Sequence, residues 1–582
     1  MKRAGVLFGV LLLVSVVQVE PTRSAAPLIT FDHYHTYAEI TTFLKAVTDA
    51  HKDLAGLVQI GESRNKRPIY AVEINNPKTG PAKDKPAFYI DGNIHGGEVV
   101  GGETALYMIN MFLERAESDP EVKKQLQTTT FYIVPIVNPD GRVISVETPE
   151  NHRWNVRPND EDGDGRIDED PPEDLDKDGR LLQMRVKDPA GRWKISPEDP
   201  RLMVARAKDE TGGAYYTVYS EGIDNDNDGR FNEDTVGGVD VNRNFPANWA
   251  STQQASGPYP LSEPESRALV EYMTSRPNIA AVHTFHTSGG MLLRFPTLAD
   301  QNWDFPESDI KDYELIGQRG AEITGYTNDW DKKVVVDMMA PGHGVFNDWA
   351  SVVYGVTAIT TEMWRHPRGS GGKDMFDWAD KTIGKDAFIA WHPYQHPQLG
   401  AIELGGFDKW VINSPPERLM EAEVERNARW VLTFSERVPR VVLQSADAAA
   451  AAGAAGTFDI KATVANVGWL PTATAHAEQV LKSAKPVVAR ITLTNAQLVD
   501  EPDRGPDTSP GQRGRGSAMA RFPGERSLGV LPGAREQGPA ARPIAWRVRV
   551  TDAAKPASAE IVVISEKAGT VRRQITLAAA SR

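Results

Sequence analysis

The chain has 582 residues, 40% of them hydrophobic and 25% charged, a composition typical of a folded globular protein that is too long for one ordinary core. Its formal net charge of -14 argues against a nucleic-acid partner, which would need a basic face. The chain has no cysteine, so disulfides are excluded and any metal must be held by His, Asp or Glu.

The N-terminus has the layout of a secretory signal. Lys2 and Arg3 precede an apolar run from about Val6 to Val19, and small residues follow at 24–26. This run is too short and wrongly flanked for a stable transmembrane helix. We therefore expect a signal peptide over residues 1–26 and a secreted or periplasmic protein with no stable membrane insertion after cleavage. An uncleaved anchor is the alternative.

Short apolar strands alternate with helices from Asp32 to about Phe434. Apolar residues at helical spacing predict helices in TYAEITTFLKAVTDAHKDL, GETALYMINMFLERA, PESRALVEYMTS and ERLMEAEVERNARWVLTF. The predicted strands are AFYID, FYIVPIV, IAAVHTF and VTAITTE. Buried strands interleaved with helices predict an α/β domain over residues 27–438, with a largely parallel or mixed sheet whose ligands bind beyond the carboxyl ends of the strands.

The first candidate site follows the predicted strand AFYID. His95 and Glu98 stand three residues apart at the start of a helix, a spacing suited to Zn2+. The glycines around them let the backbone approach closely and keep the site open. A chance pair of surface residues is the alternative.

An acidic insertion at residues 155–235 contains a repeated pattern. DEDGDGRIDED at 160–170 and DNDNDGRFNED at 224–234 share oxygen ligands at positions 1, 3, 5 and 9 and a glycine at position 6, as in a calcium loop. We therefore expect structural Ca2+ in two loops, with a solvated acidic insertion as the alternative. The candidate ligands are Asp160, Asp162, Asp164 and Asp168 in the first loop and Asp224, Asp226, Asp228 and Asn232 in the second. A third set, Asp174, Asp176 and Asp178, matches less of the pattern.

The segment GGVDVNRNFPANW exposes two polar side chains together. Asn242 and Arg243 suit a charge-assisted contact with a carboxylate, and Asp240 could orient a metal-bound histidine through its second nitrogen. An Arg–Asp pair at the surface is the alternative.

Two further strand ends carry groups that a metal site would use. A catalytic zinc takes three protein ligands and a water, so a third ligand should come from another strand. His283 and His286 have opposite parity and are not expected to face one metal together. His286 lies at the strand end and is favoured, whereas His283 is expected to be packed or to support the site. Glu362 ends the apolar strand VTAITTE, where a general base for a zinc-bound water is the expected role.

The chain changes character after Val438. Residues 439–456 are rich in alanine and are expected to form a linker. Strand-like segments in residues 457–582 predict a β-sandwich, interrupted by a Gly-, Pro- and Arg-rich loop at about 500–540 that is expected to be disordered.

In combination, these motifs resemble the zinc carboxypeptidases of the carboxypeptidase A type over about residues 33–435. The matching elements are HGGE at 95–98, NPDG at 138–141, VDVNRNF at 239–245, His286 with the following LLRFP, DW at 348–349 and the strand ending in Glu362. The resemblance implies an α/β/α sandwich around a mixed sheet. It implies His95, Glu98 and His286 as ligands of one zinc ion, with Asp240 as the partner behind them. It also implies that Asn242 and Arg243 bind the substrate's C-terminal carboxylate and that Glu362 is the general base and proton shuttle.

Three positions depart from the family pattern. The tyrosine that closes over the substrate is replaced by Ala340, and His343 is the candidate for its role. The oxyanion arginine normally follows a tryptophan, but Asn155 follows Trp154, which leaves Arg153 or Arg157. We favour Arg157 because it adjoins the acidic insertion. Asn347, the residue before DW, often sets side-chain preference in the family; being neutral and polar, it demands neither a basic nor an acidic substrate side chain.

The predicted function is that of a secreted metallocarboxypeptidase. It would hydrolyse the last peptide bond of peptides or proteins that have a free C-terminal carboxylate, by means of a zinc-activated water. Glu362 would move the proton and Arg157 would stabilise the oxyanion. The alternatives are a zinc amidase acting on cell-wall peptides or acyl-amino acids, and a catalytically inactive binding scaffold.

Overall fold

The structure, a computed structural model, describes residues 29–160, 165–232, 234–295, 305–326, 335–336, 342–367, 372–499, 522–535 and 538–577. The predicted signal segment lies outside these ranges, and so do Asp162, Asp164 and Ala340. Within the described ranges, no helix combines the length and the apolar character needed to cross a membrane.

The helices and strands alternate through the first three quarters of the chain. The helices are α1 Tyr37–Ala50, α2 Val99–Glu114, α3 Pro120–Thr128, α4 Pro139–Glu147, α5 Pro264–Thr274, α6 Glu307–Thr324, α7 Phe346–Asp348, α8 Lys373–Thr382, α9 Lys409–Ile412 and α10 Glu417–Ser435. The strands are β1 Ala55–Glu62, β2 Pro68–Ile74, β3 Ala87–Gly92, β4 Thr130–Val134, β5 Gln183–Lys187, β6 Trp193–Ile195, β7 Met203–Ala205, β8 Tyr216–Ser220, β9 Ile279–Thr287, β10 Met291–Leu293, β11 Val335–Val336, β12 Thr357–Met363, β13 Phe388–His396, β14 Gly400–Phe407, β15 Val441–Ala450, β16 Thr457–Asn466, β17 Val487–Thr494, β18 Ala496–Leu498, β19 Arg526–Gly529, β20 Ala541–Val550, β21 Ser558–Ser565 and β22 Gly569–Thr576.

A mixed sheet of eight strands forms the centre of the first part of the chain. Its order is β1-β2-β4-β3-β9-β12-β10-β11. The neighbours β4, β3, β9 and β12 are parallel. At one edge, β1 and β2 run antiparallel to their neighbours; at the other, β10 is antiparallel to β12 and parallel to β11. The three parallel strands β3, β9 and β12 therefore end at the same edge of the sheet.

Helices cover both faces of this sheet. One apolar core joins the sheet to α1, α2, α6 and α10, and a second core joins its other face to α5 and to the helical segment that begins at Phe346. The four strands predicted from apolar runs correspond to β3, β4, β9 and β12, because strands buried on both faces of a sheet are mostly apolar. The predicted α/β/α sandwich is confirmed.

Close backbone packing sets the height of α2 above β3. A Cβ atom on Gly92 would lie 2.5 Å from the carbonyl oxygen of Gly101, and a Cβ atom on Gly101 would lie 3.0 Å from the side chain of Phe285. Side chains at these two positions would push the helix away from the strand. The glycines therefore bring the start of α2 directly against the ends of β3 and β9.

The acidic insertion contributes to a second sheet that the sequence analysis did not predict. Six antiparallel strands are ordered β13-β14-β5-β8-β6-β7, so strands from residues 183–220 pair with strands from residues 388–407. The insertion is thus anchored to a part of the chain about 200 residues away.

Two four-stranded sheets, β15-β16-β20-β18 and β19-β17-β21-β22, share one apolar core at the C-terminal end. This is the predicted β-sandwich. The predicted Ala-rich linker is wrong for residues 441–450, because β15 pairs with β16 along its whole length. The backbone groups of these alanines form the hydrogen bonds that join the edge strand β15 to β16. Part of the predicted disordered loop, residues 526–529, is strand β19, and residues 500–521 lie outside the described ranges.

Candidate metal centre and active site

The ends of β3, β9 and β12 bring three predicted site residues together. His95 and Glu98 lie between β3 and α2, and His286 is the second-last residue of β9. Their donor atoms lie within 4.8 Å of one another, and all three residues are buried. The site is therefore built where the parallel strands end, as expected for ligands of an α/β sheet.

The geometry of this cluster fits a zinc ion. Glu98 Oε1 lies 2.7 Å from His95 Nδ1, and Glu98 Oε2 lies 2.9 Å from His286 Nδ1. The two Nδ1 atoms are 3.2 Å apart. Tetrahedral ligands about 2.0–2.1 Å from zinc lie about 3.3 Å from one another, so only small movements are needed for these three donors to bind the ion.

The environment of Glu98 favours its charged form. Burial alone would raise the pKa of Glu98, but the two imidazoles outweigh it and hold the pKa well below its ordinary value. A carboxylate and two imidazole nitrogens are a common donor set of catalytic zinc sites.

Asp240 supports the cluster from behind. Its Oδ1 atom lies 3.1 Å from Nε2 of His95, the ring nitrogen on the side away from Glu98. The same carboxylate accepts a hydrogen bond of 2.8 Å from the backbone N–H of Asn242, which fixes the turn that follows. A carboxylate in this position determines which nitrogen of the imidazole carries the proton.

The two candidate oxyanion arginines occupy different places. Arg153 lies at the cluster: its Nε donates to Asp240 Oδ2 at 3.0 Å, its Nη1 donates to Glu98 Oε1 at 3.3 Å, and its Nη2 is 2.8 Å from His95 Nε2. Arg157, which the sequence analysis favoured, donates instead to the buried Glu263 at 2.9 Å. The structure therefore brings Arg153, rather than Arg157, to the cluster of His95, Glu98 and His286.

Glu362 stands beside the ligands on the neighbouring strand. It pairs in register with His286 across β12 and β9. Its Oε2 atom is buried and has no hydrogen-bond partner among the described residues. Burial, followed by repulsion from Glu98, raises the pKa of Glu362 to about 7. A carboxyl group with this pKa can both accept and release a proton near neutral pH.

Asn242 and Arg243 lie in a single turn next to the cluster. Asn242 Oδ1 accepts a hydrogen bond of 2.7 Å from Phe346 N, and its Nδ2 is 3.5 Å from His286 Nε2. Arg243 Nη1 donates to the carbonyl of Asn242 at 2.8 Å. Asp348 is fully buried, and burial raises its pKa well above the ordinary range although Arg243 opposes this shift.

The other two predicted substrate-binding residues are His343, which lies at the surface, and Asn347, which is buried. His343 Nδ1 lies 2.8 Å from the carbonyl of Asn248 at the surface. Asn347 is buried, and with its amide oriented to satisfy both groups it donates to Ala358 O and accepts from Phe295 N. Its amide therefore ties the helical segment to the sheet.

His283 faces away from the ligands, as its parity in β9 predicts. Its ring packs against Phe285, Trp430 and Phe434, and its Nε2 is 3.1 Å from Thr361 Oγ1. Burial lowers the pKa of His283 to about 3, with a smaller effect from His286, so the ring is neutral.

In the second acidic loop, residues 224–234, backbone N–H groups donate to carboxylates of the same loop. Asp224 accepts hydrogen bonds from the N–H groups of three residues further along its loop, and Asp224, Asp226 and Asp228 have oxygens within 4.8 Å of one another. Asn232 donates through Nδ2 to Ser220 O, away from these three carboxylates.

A second group of converging carboxylates differs from the predicted sets. Asp174 and Asp176 converge with the buried Glu221, which no local pattern places near them. Of the first predicted loop, Asp160 and Asp168 are described, and Asp168 Oδ1 accepts from Gly237 N at 3.0 Å.

Comparisons with known proteins agree with this geometry. Residues 40–179 and 211–391 match the family model described as zinc carboxypeptidase, and residues 440–576 match a domain of unknown function, DUF8731. Carboxypeptidase A2 of Mus musculus is 31% identical over 330 residues, 55% of this chain and 60% of that protein. Carboxypeptidase D of Anas platyrhynchos is 33% identical over 132 residues, which are 22% of this chain and 9% of that much longer protein.

Two solved carboxypeptidase structures are among those that match this chain. The crystal structure of carboxypeptidase A from Helicoverpa armigera has a TM-score of 0.42 and 18% identity, covering 71% of this chain and 77% of that one. The metallo-carboxypeptidase from Burkholderia cenocepacia has a TM-score of 0.36 and 14% identity, covering 69% and 70%.

Proposed function

The chain belongs to the zinc carboxypeptidase family, and on this basis we propose that it is a metallocarboxypeptidase that hydrolyses the C-terminal peptide bond of peptides or proteins. The observation that carries the proposal is the convergence of His95, Glu98, His286 and Glu362 at the ends of three adjacent parallel strands. Two imidazoles and a carboxylate would hold zinc, and a carboxylate with a raised pKa stands beside them.

Zinc bound at this centre would act as a Lewis acid toward water and toward the substrate carbonyl. Glu362 takes a proton from the attacking water and delivers it to the leaving amine. The position of Glu362 next to His286 supports this role, because a general base must reach the water that attacks the bond.

Arg153 is proposed as the group that stabilises the oxyanion. With Nδ1 of His95 as the metal ligand, Nε2 of that ring would keep its proton and donate a hydrogen bond to Asp240. Nη2 of Arg153, now 2.8 Å from that Nε2, is then available to the substrate. The bonds of Arg153 to Asp240 and Glu98 keep its guanidinium at the site. A donor aimed at a developing oxyanion is typically worth about 10²–10³ in rate.

Asn242 and Arg243 are proposed to bind the C-terminal carboxylate of the substrate. They lie in the turn fixed by Asp240, beside His286. A guanidinium can donate two parallel hydrogen bonds to a carboxylate, which gives both affinity and orientation.

The test is hydrolysis of a peptide pool by zinc-loaded protein, with chelator-treated protein and Glu362→Gln as controls. Stepwise trimming of free C-termini is expected, with a loss of about 10²–10⁴ in kcat for Glu362→Gln at unchanged zinc content. Cleavage confined to γ-linked or D-containing peptides would instead identify a cell-wall amidase. No turnover by the zinc-loaded protein would identify a binding scaffold.

Two further properties are proposed from sequence patterns. Residues 1–26 would direct export, so the protein would be secreted or periplasmic; cell fractionation that left it in the cytoplasm would contradict this.

The repeated acidic loops would bind structural Ca2+, which the convergence of Asp224, Asp226 and Asp228 supports.

A further inference from the structure

A chain of buried polar groups lies under the loop that carries two metal ligands. The ligand loop, residues 93–98, connects β3 to α2 and contains His95 and Glu98. We propose that Arg142, acting through Asn93, is a positioning residue that holds the ligand loop in the shape needed for metal binding. The inference rests on the proposed function, because it concerns the affinity of the same metal centre.

Asn93 holds the ligand loop through both hydrogens of its amide. Its Nδ2 donates to the carbonyl of His95 at 2.7 Å and to the carbonyl of Gly96 at 2.9 Å. Its own backbone has a φ of 58°, in the left-handed region that asparagine tolerates better than most residues. The loop thus turns around a single side chain, and removal of that side chain would leave two buried carbonyl groups without these donors.

Arg142 donates a hydrogen bond to the oxygen of the Asn93 side-chain amide. Its Nη1 donates to Asn93 Oδ1 at 3.0 Å and to the carbonyl of Val99, the first residue of α2, at 3.3 Å. Its Nε and Nη2 donate to the carbonyl of His35, and Nη2 also donates to Glu103. There are as many of these hydrogen bonds as there are N–H groups in a guanidinium, namely five, so the orientation of the Arg142 side chain is fixed.

The charge of Arg142 is balanced by Glu103. Arg142, Glu103 and Asn93 all have no exposed surface. Glu103 also accepts from the backbone N–H of His35 at 3.0 Å and lies 2.8 Å from Nδ1 of that residue. A buried charge is tolerated only when it is paired and hydrogen-bonded, so this ion pair provides a rigid support under the loop.

The start of α4 clamps the ligand loop at a second point. A Cβ atom on Gly96 would lie 2.4 Å from the carbonyl carbon of Gly141, which shows how closely the loop packs on α4. Gly96 N donates to the carbonyl of Arg153 at 3.0 Å, and Asn138 Nδ2 donates to the carbonyl of Trp154 at 2.8 Å. The helix that carries Arg142 therefore sets the position of the ligand loop relative to Arg153.

The inference is tested with Asn93→Gly, because glycine accepts the left-handed backbone and removes only the amide. The readout is the zinc dissociation constant, measured by competition with a chromogenic chelator. Zinc affinity is expected to fall about 10- to 100-fold, the usual effect of losing a group that orients metal ligands.

The matched control is Asn278→Ala. Asn278 is also buried, and its Nδ2 also donates to two backbone carbonyls, those of Ala82 and Lys85, both at 3.0 Å. It precedes β9 and so lies at the opposite edge of the sheet from the metal ligands. This variant is expected to lose thermal stability and to keep its zinc affinity within about twofold.

Arg142→Lys tests whether Arg142 acts through Asn93. Lysine keeps a charge beside Glu103 but lacks the branch that reaches Asn93. The single variants are expected to weaken zinc binding by similar factors, and the double variant is expected to be no weaker than Asn93→Gly alone. Unchanged zinc affinity in Asn93→Gly, or factors that multiply in the double variant, would overturn the inference. A wild-type protein that binds zinc but hydrolyses no peptide would contradict the proposed function instead.

Discussion

Two carboxyl groups are buried together against the side chain of Asn155. Glu263 and Glu265 have no exposed surface, and the amide of Asn155 donates to both, at 2.8 Å and 3.1 Å. Asn155 in turn pairs through its backbone with Val239, the residue before Asp240. Burial raises the pKa of Glu265 to about 7, and the neighbouring Glu263 adds to this effect.

The raised pKa of Glu265 predicts how stability depends on pH. A carboxyl group that titrates at about 7 when folded and at 4.5 otherwise is protonated in the folded protein and ionised in the unfolded chain between these values. The free energy of unfolding should therefore fall as pH rises from about 4.5 to about 7. At 1.36 kcal/mol per pKa unit, the loss attributable to Glu265 is about 3 kcal/mol.

The variant Glu265→Gln removes this titration while it keeps the size of the side chain. The assay is urea unfolding of the zinc-loaded protein at several pH values from 5 to 8, with the free energy of unfolding compared between variant and wild type. The variant should gain about 3 kcal/mol relative to wild type between pH 5 and pH 8. Glu271→Gln, in the exposed part of the same helix, is the control and should show no such change. A difference between Glu265→Gln and wild type that does not vary with pH would refute the reasoning.

Three other perturbations test the site. Arg153→Met should lower kcat by about 10²–10³, whereas Arg157→Met should lower stability and change kcat less than tenfold; the reverse order would restore Arg157 as the oxyanion donor. Arg243→Met should lower kcat/KM for free-acid peptides about 10- to 100-fold and leave C-terminal amides unaffected, and equal losses on both would contradict carboxylate binding. Adding Ca2+ to calcium-depleted, zinc-loaded protein should raise Tm, protect residues 155–235 from proteolysis and restore activity, and an unchanged Tm and digestion pattern would exclude calcium there.

The sequence was sufficient to predict the strands that carry the site. In β3, β9 and β12 every or nearly every residue is buried, and each strand begins with or contains a run of apolar residues that stands out in the sequence. The positions of His95 and Glu362 follow from the ends of these runs. The different surroundings of His283 and His286 follow from the period of two in a strand.

The choice between Arg153 and Arg157 could not be made in this way. Both lie in one short irregular segment, and their directions depend on partners that are distant in sequence. Arg153 is held by Asp240, 87 residues away, and Arg157 by Glu263, 106 residues away. Spacing within a loop contains no information about such partners.

Dependence on distant partners also explains two failures of prediction: the six-stranded sheet was not predicted, and strand β15 was predicted to be a linker. The strands β5 to β8 are three to five residues long and partly exposed, so their apolar residues form no recognisable period. They become strands through pairing: β5 pairs with β14, β8 pairs with β5, and β6 and β7 extend the sheet from β8. In β15 alanine composition suggested a linker, but pairing with β16 determines the structure. Strand formation in both cases depends on tertiary contacts more than on local preference.

Direct hydrogen bonds, besides any cation it binds, hold the acidic insertion together and tie it to the segment that leads to Asp240. Asp170 is buried, and its two oxygens accept from the backbone N–H groups of Asn225 and Asn232, so the end of the first loop holds the second. Asp168 accepts from Gly237 N, three residues before Asp240. Because these bonds form without a cation, calcium depletion should loosen the loops without detaching them from the segment that supports His95. A partial loss of activity on depletion, larger in Asp170→Ala than in wild type, is the expected consequence, because this variant loses both bonds but keeps the proposed calcium ligands.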